Sequence, residues 1–319
     1  MAPMQTKHRK TGAVTPKAER QGEFDLIANV LAPLADERAL GLTDDAAILP
    51  QASGLDTVVS TDTLVTGVHF LKNEDPDIIA RRLLRVNLSD IAAMAARPFG
   101  YFLNLTLSPD IGDDWLIKFA QGLAADQKSF GIRLMGGDTT RTPGELTLSV
   151  TMLGEVPSGK AVRRSTAEVG DRIFVSGTIG DAALGLVSLK TGAGADDALV
   201  RRYQLPDPRV SLGTALRGIV NAMADVSDGL VADLGHICEA SGLAATIEAE
   251  AVPLSNGART VLESDPSEIT GLLTGGDDYE LVFTAPREQI EAVKAAAAGV
   301  GVEATEIGRM EEGGGEVSV

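Results

Sequence analysis

Apolar positions along the chain switch between two periods, alternate residues in some stretches and every third or fourth residue in others, and so predict alternating strands and helices. Thr57-Val58-Val59-Ser60-Thr61 reads as a strand, Tyr101–Leu107 as a second and Leu146–Leu153 as a third. Ile79, Leu83 and Val86 mark a helix between the first two. Asp75-Pro76 should open it, as N-cap and first-turn proline, and Pro98 should stop it by about Ala96. Asp113–Phe130 reads as the next helix, closed by Gly131. Strands follow at Arg172–Ser176, Ala222–Val226 and Leu281–Thr284, with helices from Asp181 and from Asp228 to Ala240. Such alternation predicts a layered α/β architecture and leaves strand order open.

Met1–Gln21 is polar and locally basic and reads as a mobile tail, so folding should begin near Gly22-Glu23-Phe24. Pro157, Ser158 and Gly159 break the periodicity between Glu155 and Gly170. The expected domains are therefore residues 22–155 and 156–319. A short echo crosses that boundary. Asn87-Leu88-Ser89-Asp90 returns as Asp225-Val226-Ser227-Asp228, and Gly136-Gly137-Asp138 as Gly275-Gly276-Asp277, a hint of two related halves.

Composition narrows the class. The chain has 319 residues, 44% of them apolar, which suffices for two cores and excludes disorder. Its 28 basic and 45 acidic residues give a formal charge of −17, which repels phosphate backbones and argues against nucleic-acid and anionic-membrane binding. No apolar run is long enough to span a bilayer and no apolar leader is present, so a soluble, cytoplasmic protein is expected. The single cysteine, Cys238, excludes a disulfide framework or a thiolate metal site made by one chain.

The acids are unevenly placed. Asp44-Asp45 follow Gly41, Asp62 ends the first strand, and Asp138 follows Gly136-Gly137. Asp225 and Asp228 bracket Val226-Ser227, and Asp277-Asp278 follow Gly275-Gly276. Asp90 lies between Leu88 and Ile91 in an apolar helix, where a carboxylate needs a paired charge or a metal. Open α/β sheets bind ligands at strand ends. Each aspartate alone reads equally well as an N-cap or Asx-turn, and Asp228 is placed to cap its helix. Together they form an oxygen-only set, which selects Mg2+ or Mn2+ over softer metals. Such a cluster in an acidic protein suits a polyphosphate substrate and phosphoryl transfer.

Other motifs carry less. Gly154-Glu155-Val156-Pro157-Ser158-Gly159-Lys160 has phosphate-loop spacing, but Ala161 stands where Ser or Thr is required, so it is set aside. Ser176-Gly177-Thr178-Ile179-Gly180-Asp181 joins a strand to a helix and could seat a phosphate, although tight packing explains its glycines as well. His69, one turn beyond the Asp62 strand, is a candidate substrate contact, and Arg163 and Arg164 are candidates for phosphate. His236 receives no role, and Met94, Met135 and Met152 are expected in the core.

The motifs Gly22-Glu23-Phe24, Thr43-Asp44-Asp45-Ala46-Ala47, Ser60-Thr61-Asp62-Thr63-Leu64, Gly67-Val68-His69-Phe70 and Val86-Asn87-Leu88-Ser89-Asp90-Ile91-Ala92-Ala93-Met94 come first in the chain. Gly136-Gly137-Asp138-Thr139-Thr140, Val226-Ser227-Asp228-Gly229-Leu230 and Gly275-Gly276-Asp277-Asp278-Tyr279-Glu280-Leu281 follow. In order and spacing, over about Gly22–Met310, they resemble the thiamine-monophosphate kinase family of the aminoimidazole-ribonucleotide-synthetase-like superfamily. The resemblance implies two α/β domains with mixed sheets, and a homodimer joined through the N-terminal sheets. It implies transfer of the ATP γ-phosphoryl group to thiamine monophosphate, with no general base. Asp45, Ser60, Thr61, Asp62, Asp90, Asp138, Asp225 and Asp228 would then hold Mg2+. Gly137, Arg164 and Ser227 would contact ATP, and His69 and Asp277 the thiamine phosphate. Two departures stand out: Asp277 replaces the family's usual Glu, and the chain ends at Val319 without the family's aromatic C-terminal segment. Selenophosphate synthetases and hydrogenase-maturation proteins share the superfamily but rely on terminal cysteines, and Cys238 lies inside a helix pattern.

Overall fold

Buried and half-buried residues alternate along the whole strand Thr147–Pro157, with Leu148, Val150, Met152 and Val156 turned inward. This strand is the middle of the first sheet. The computed structural model describes residues 43–44, 47–50, 54–192 and 197–319. Asp45, Gly22-Glu23-Phe24 and the basic tail lie outside the described residues.

The first sheet comprises β1 (Ala47–Pro50), β2 (Leu55–Val65), β3 (Arg97–Leu107), β4 (Arg133–Arg141) and β5, the Thr147–Pro157 strand. They lie in the order β1-β2-β5-β3-β4, antiparallel except for the β3–β4 pair. Helices α1 (Pro76–Ala93) and α2 (Asp113–Phe130) connect them. Val58 and Leu64 of β2 and Val150 of β5 share one core with Ile79, Leu83, Leu88 and Ile91 of α1. The opposite face is open, with Thr61, Thr63, Phe102 and Asn104 exposed on it.

Several expectations shift here. Asp75 is the N-cap of α1, but its side chain makes no capping bond. The helix stops at Ala93, before the expected Ala96, because Ala95 turns into the left-handed region at φ 55°. Pro98 lies inside β3, at a bulge opposite Gly154. Met94 and Met152 are buried as expected, whereas Met135 is 47% exposed. It sits on β4, an edge strand paired on one side only, all nine residues of which are exposed.

The second sheet holds β6 (Arg172–Ser176), β7 (Ala222–Asp225), β8 (Leu243–Ile247), β9 (Leu281–Ala285), β10 (Ala304–Glu312) and β11 (Val317–Ser318), ordered β11-β8-β10-β6-β9-β7. Around it run α3 (Asp181–Thr191), α4 (Asp197–Gln204), α5 (Val210–Leu216), α6 (Leu230–Ser241), α7 (Asn256–Ser264), α8 (Ile269–Thr274) and α9 (Ile290–Gly299). The sequence echo does not recur in structure. Asn87–Asp90 is helix interior while Asp225–Asp228 ends a strand, and Gly136–Asp138 is strand while Gly275–Asp277 is loop.

The two layers meet where α5 crosses α1. Gly213 lies so close that an added Cβ would stand 2.1 Å from the Ala92 carbonyl oxygen. The Arg217 guanidinium just beyond donates to the Ala95 carbonyl at 2.9 Å. Gly213→Ala should therefore cost about 1–3 kcal/mol, the usual range for an overpacked contact, and lower the thermal midpoint. An unchanged melting curve would show that the crossing can open without penalty.

Candidate active site

Strand alternation turns Ser60 and Asp62 toward α1 and Thr61 away from it. The Ser60 hydroxyl donates to Asp90 Oδ2 across the β2–α1 contact. One turn earlier on α1, Asn87 Oδ1 accepts the Asp62 amide at 3.2 Å, while its Nδ2 donates to the Leu83 carbonyl. Thr61 spends its hydroxyl on the Val150 carbonyl at 2.9 Å, so its side chain does not join this cluster.

Asp225 ends β7 and is only 2% exposed. The chain beyond it pairs with the approach to β9: Val226 N donates to Glu280 O, Tyr279 N to Val226 O and Asp277 N to Ser227 O, at 2.7–2.8 Å. A Cβ on Gly276 would stand 2.3 Å from the Ser227 carbonyl, so only glycine permits this approach. Asp277 and Tyr279 both have left-handed backbones, at φ 73° and 52°. A bulky residue there stores about 1–3 kcal/mol of strain.

Tyr279 marks where the acids converge. Its hydroxyl donates to Asp277 Oδ1 at 3.3 Å. Burial raises its pKa well above the ordinary value, Arg82 opposes that, and the nearby charges of Asp277, Asp62 and Asp225 add to it. Carboxylates from β2, from β7 and from the β9 approach thus face one phenol.

Arg82 of α1 stands behind them, 1% exposed. Its Nη2 donates to Asp277 Oδ1 at 2.7 Å, its Nη1 to the Tyr203 carbonyl, and its guanidinium lies 4.2 Å from the Tyr203 ring centre. Burial disfavours this cation, and Asp277 with the surrounding phenols and Glu74 more than restores it, so its pKa is raised. The Tyr203 hydroxyl then donates to the His69 carbonyl at 3.3 Å. The His69 ring is exposed, and its Nδ1 accepts the Val65 amide at 3.1 Å, which leaves Nε2 as the N–H donor of the neutral ring.

Neighbouring acids hold structure instead. Asp278 is fully buried and accepts the Gly180 and Ala182 amides, at 2.6 and 3.1 Å, so the glycine-rich turn at the start of α3 is filled from within. Glu280, also fully buried, takes Arg202 at 2.7 Å, Arg209 and the Ser176 hydroxyl. Asp233 accepts the amides of Ser227, Asp228 and Gly229 at 2.9–3.1 Å. Gly229 is the N-cap of α6, in place of the expected Asp228; Asp233 in the first turn braces the loop that leads into it, and Asp228 is left exposed. Asp228, Asp233 and His236 each bring one ligand atom within 4.8 Å of the others. In the rejected phosphate-loop segment, Asp56 holds the Ser158 hydroxyl and the Gly159 amide at 2.8 and 2.9 Å.

Arg164 donates its amide to Asp44 Oδ1 at 2.6 Å, which brings the Thr43-Asp44 motif to this turn. Gly137 and Asp138 are elsewhere. They lie on β4, three strand spacings or roughly 14 Å from β2. The register sets Asp138 beside Asn104, on the face opposite Asp62. One chain thus gathers Ser60, Asp62, Asp90, Asp225, Asp277 and, through Tyr203 and Arg82, His69. Arg82, Tyr203, Tyr279 and Asp233 were not anticipated. Arg82 had a legible signal, because it falls on the Ile79–Val86 apolar stripe at helical spacing.

The family models for "AIR synthase related protein", N-terminal domain and C-terminal domain, match residues 43–156 and 168–319. The two sheet layers are thus the N- and C-terminal domains of the AIR synthase related class of α/β protein. The "Thiamine-monophosphate kinase" of Caulobacter vibrioides is 47% identical over 311 residues, covering 95% of this chain and 88% of that protein. The solved thiamine-monophosphate kinase from Stenotrophomonas maltophilia K279a is 42% identical with a TM-score of 0.79, covering 92% and 94% of the two chains. The structure described as "AaThiL complexed with AMPPCP and TMP" is 32% identical with a TM-score of 0.84, covering 93% and 94%. The chain belongs to the thiamine-monophosphate kinase family.

Burial pushes the Asp278 pKa up to about 7, with the Gly180 and Ala182 amides and Arg202 opposing. A carboxyl raised in this way favours the fold in its protonated form. Its contribution is complete below the ordinary carboxylate range and is lost as pH rises through about 7. The thermal midpoint of the native chain relative to Asp278→Asn should fall between about pH 4 and about pH 7 and level off above it. A constant difference across that range would contradict the assignment.

Proposed function

We infer that this chain transfers the γ-phosphoryl group of ATP to thiamine monophosphate, giving ADP and thiamine diphosphate, in thiamine biosynthesis. The reading rests on the convergence of Asp62, Asp90 and Asp225 in a cleft walled by His69 and Asp277, within a chain of this family.

The donor set fits Mg2+. Ser60 Oγ and the carboxylates of Asp62, Asp90 and Asp225 are hard oxygens from three elements, with no thiolate or imidazole among them. Asp228 would extend that set, and Thr61 and Asp45 belong to it by family resemblance alone. These residues would hold Mg2+, which would supply charge neutralisation to the phosphates. The chain itself need not remove a proton. A phosphomonoester loses its second proton near pH 6, so the acceptor arrives ready to attack. The residues position: His69 Nε2–H faces the acceptor phosphate, Asp277 the thiamine moiety, and Arg164 and Ser227 the nucleotide.

Gly137, as a nucleotide contact, and Asp138, as an Mg2+ ligand, reach the site from a second copy in this reading. The exposed edge strand β4 carries Leu134 and Met135, 49% and 47% exposed, beside Phe102 at 39%. An apolar edge of this kind is ordinarily covered, and a symmetric homodimer would cover it. Among the described residues no helix is long and apolar enough to cross a membrane. With two phosphorylated, water-soluble substrates, we place the protein in the cytoplasm.

Thiamine diphosphate formation is read directly, by oxidation to its fluorescent thiochrome after incubation with ATP, Mg2+ and thiamine monophosphate. Product should require all three, and Asp62→Asn or Asp225→Asn should lower turnover at least about 100-fold with circular dichroism unchanged. Near-native rates for either variant at saturating Mg2+ would remove the metal assignment, and a native chain that binds but never turns over would leave a silent binder. Leu134→Glu with Met135→Glu should give a monomer by light scattering and lose product formation. A fully active monomer would contradict sharing of Asp138.

A further inference from the structure

We propose that Arg82 and Tyr279 are positioning residues for the acceptor substrate: together they occupy Oδ1 of Asp277 and so present its Oδ2 alone to thiamine monophosphate. This rests on the reading of Asp277 as a substrate contact.

Both donors fall on one oxygen. Arg82 Nη2 lies 2.7 Å and the Tyr279 hydroxyl 3.3 Å from Asp277 Oδ1. Among the described residues no donor reaches Oδ2. An arginine facing a carboxylate commonly closes a fork on both oxygens. Here the fork cannot close, because Nη1 is drawn to the Tyr203 carbonyl and the guanidinium plane is held against the Tyr203 ring. The carboxylate is held on its own side by the same two donors. Its backbone is fixed at φ 73°, and its amide is bound to the Ser227 carbonyl at 2.8 Å. The arginine side chain is 2% exposed and the aspartate 31%, so the pair has a dry side and a wet side. Oδ2 is the wet side. It offers one anionic acceptor to the amino group of the substrate's aminopyrimidine ring, and the geometry of that offer is set by Arg82 and Tyr279, neither of which touches the reacting phosphates.

Steady-state kinetics on the full chain with ATP and Mg2+ tests this. Native turnover is measured first. Its absence removes the function reading and this proposal with it, whereas turnover with native-like variants removes this proposal alone. Tyr279→Phe and Arg82→Lys should each raise KM for thiamine monophosphate about tenfold, the scale of one charged hydrogen bond. For Tyr279→Phe, whose hydroxyl bonds Asp277 alone, KM for ATP should stay within about twofold. In an Asp277→Ala background the same two substitutions should leave KM for thiamine monophosphate unchanged, since no carboxylate remains to be positioned. Additive losses in that background would overturn the proposal, as would parallel rises in both KM values. Should Arg82→Lys fail to fold, Tyr279→Phe carries the same cycle.

Discussion

A guanidinium sealed from water sets the geometry of this cleft. Arg82 belongs to the first layer, and its partners, Tyr203 and Asp277, belong to the second. A buried charge deprived of its partner destabilises a protein by about 3–5 kcal/mol, so α1 has few ways to meet the second layer. One turn along, Arg85 repeats the device, with Asp126 on one side at 2.6 Å and the Pro206 carbonyl on the other at 2.9 Å. The docking of α1 fixes Asp62 and Asp90 relative to Asp225 and Asp277. Phosphoryl transfer depends on that spacing more than on any single group.

The acids divide into two populations that composition cannot separate. Asp126, Asp233, Asp278 and Glu280 are buried and answered by guanidinium groups or main-chain amides. They build turns and join helices. Asp62, Asp90 and Asp277 remain half-open toward the cleft, and Asp225 closes its floor. The segment Asp277–Glu280 shows both kinds side by side, its four residues directed to Arg82, the start of α3, the acid cluster, and Arg202 with Arg209. Left-handed backbone at the first and third of them produces that divergence.

Much of this was readable from the chain. Strong periodicity gave α1, α2, β2, β3 and β5, and motif spacing drew attention to Ser60, Asp62, Asp90, Asp225 and Asp277. The edge strand β4 was not legible, because glycine and charge at Arg133–Arg141 erase any alternation and both its faces are open. β10 was hidden by a bulge between Glu306 and Gly308 that shifts its register. Asp233 looked like an ordinary helical acid, since reaching back to three amides depends on loop geometry that no spacing rule contains. Arg82 stands between Arg81 and Arg85, and its position on the apolar stripe is the signal that sets it apart.

Arg82 and Asp277 are 195 residues apart in the chain. During synthesis from the N-terminus, α1 and its sheet emerge long before the carboxylate that neutralises the arginine. Until then Arg82 lacks the carboxylate that bonds it, although α1 can already pack on its own sheet, so the junction between the layers waits for the last third of the polypeptide. The cleft is therefore completed late. A ribosome-stalled or nonsense-truncated chain ending before residue 277 would carry most of the acids yet lack the ion pair that brings them into register.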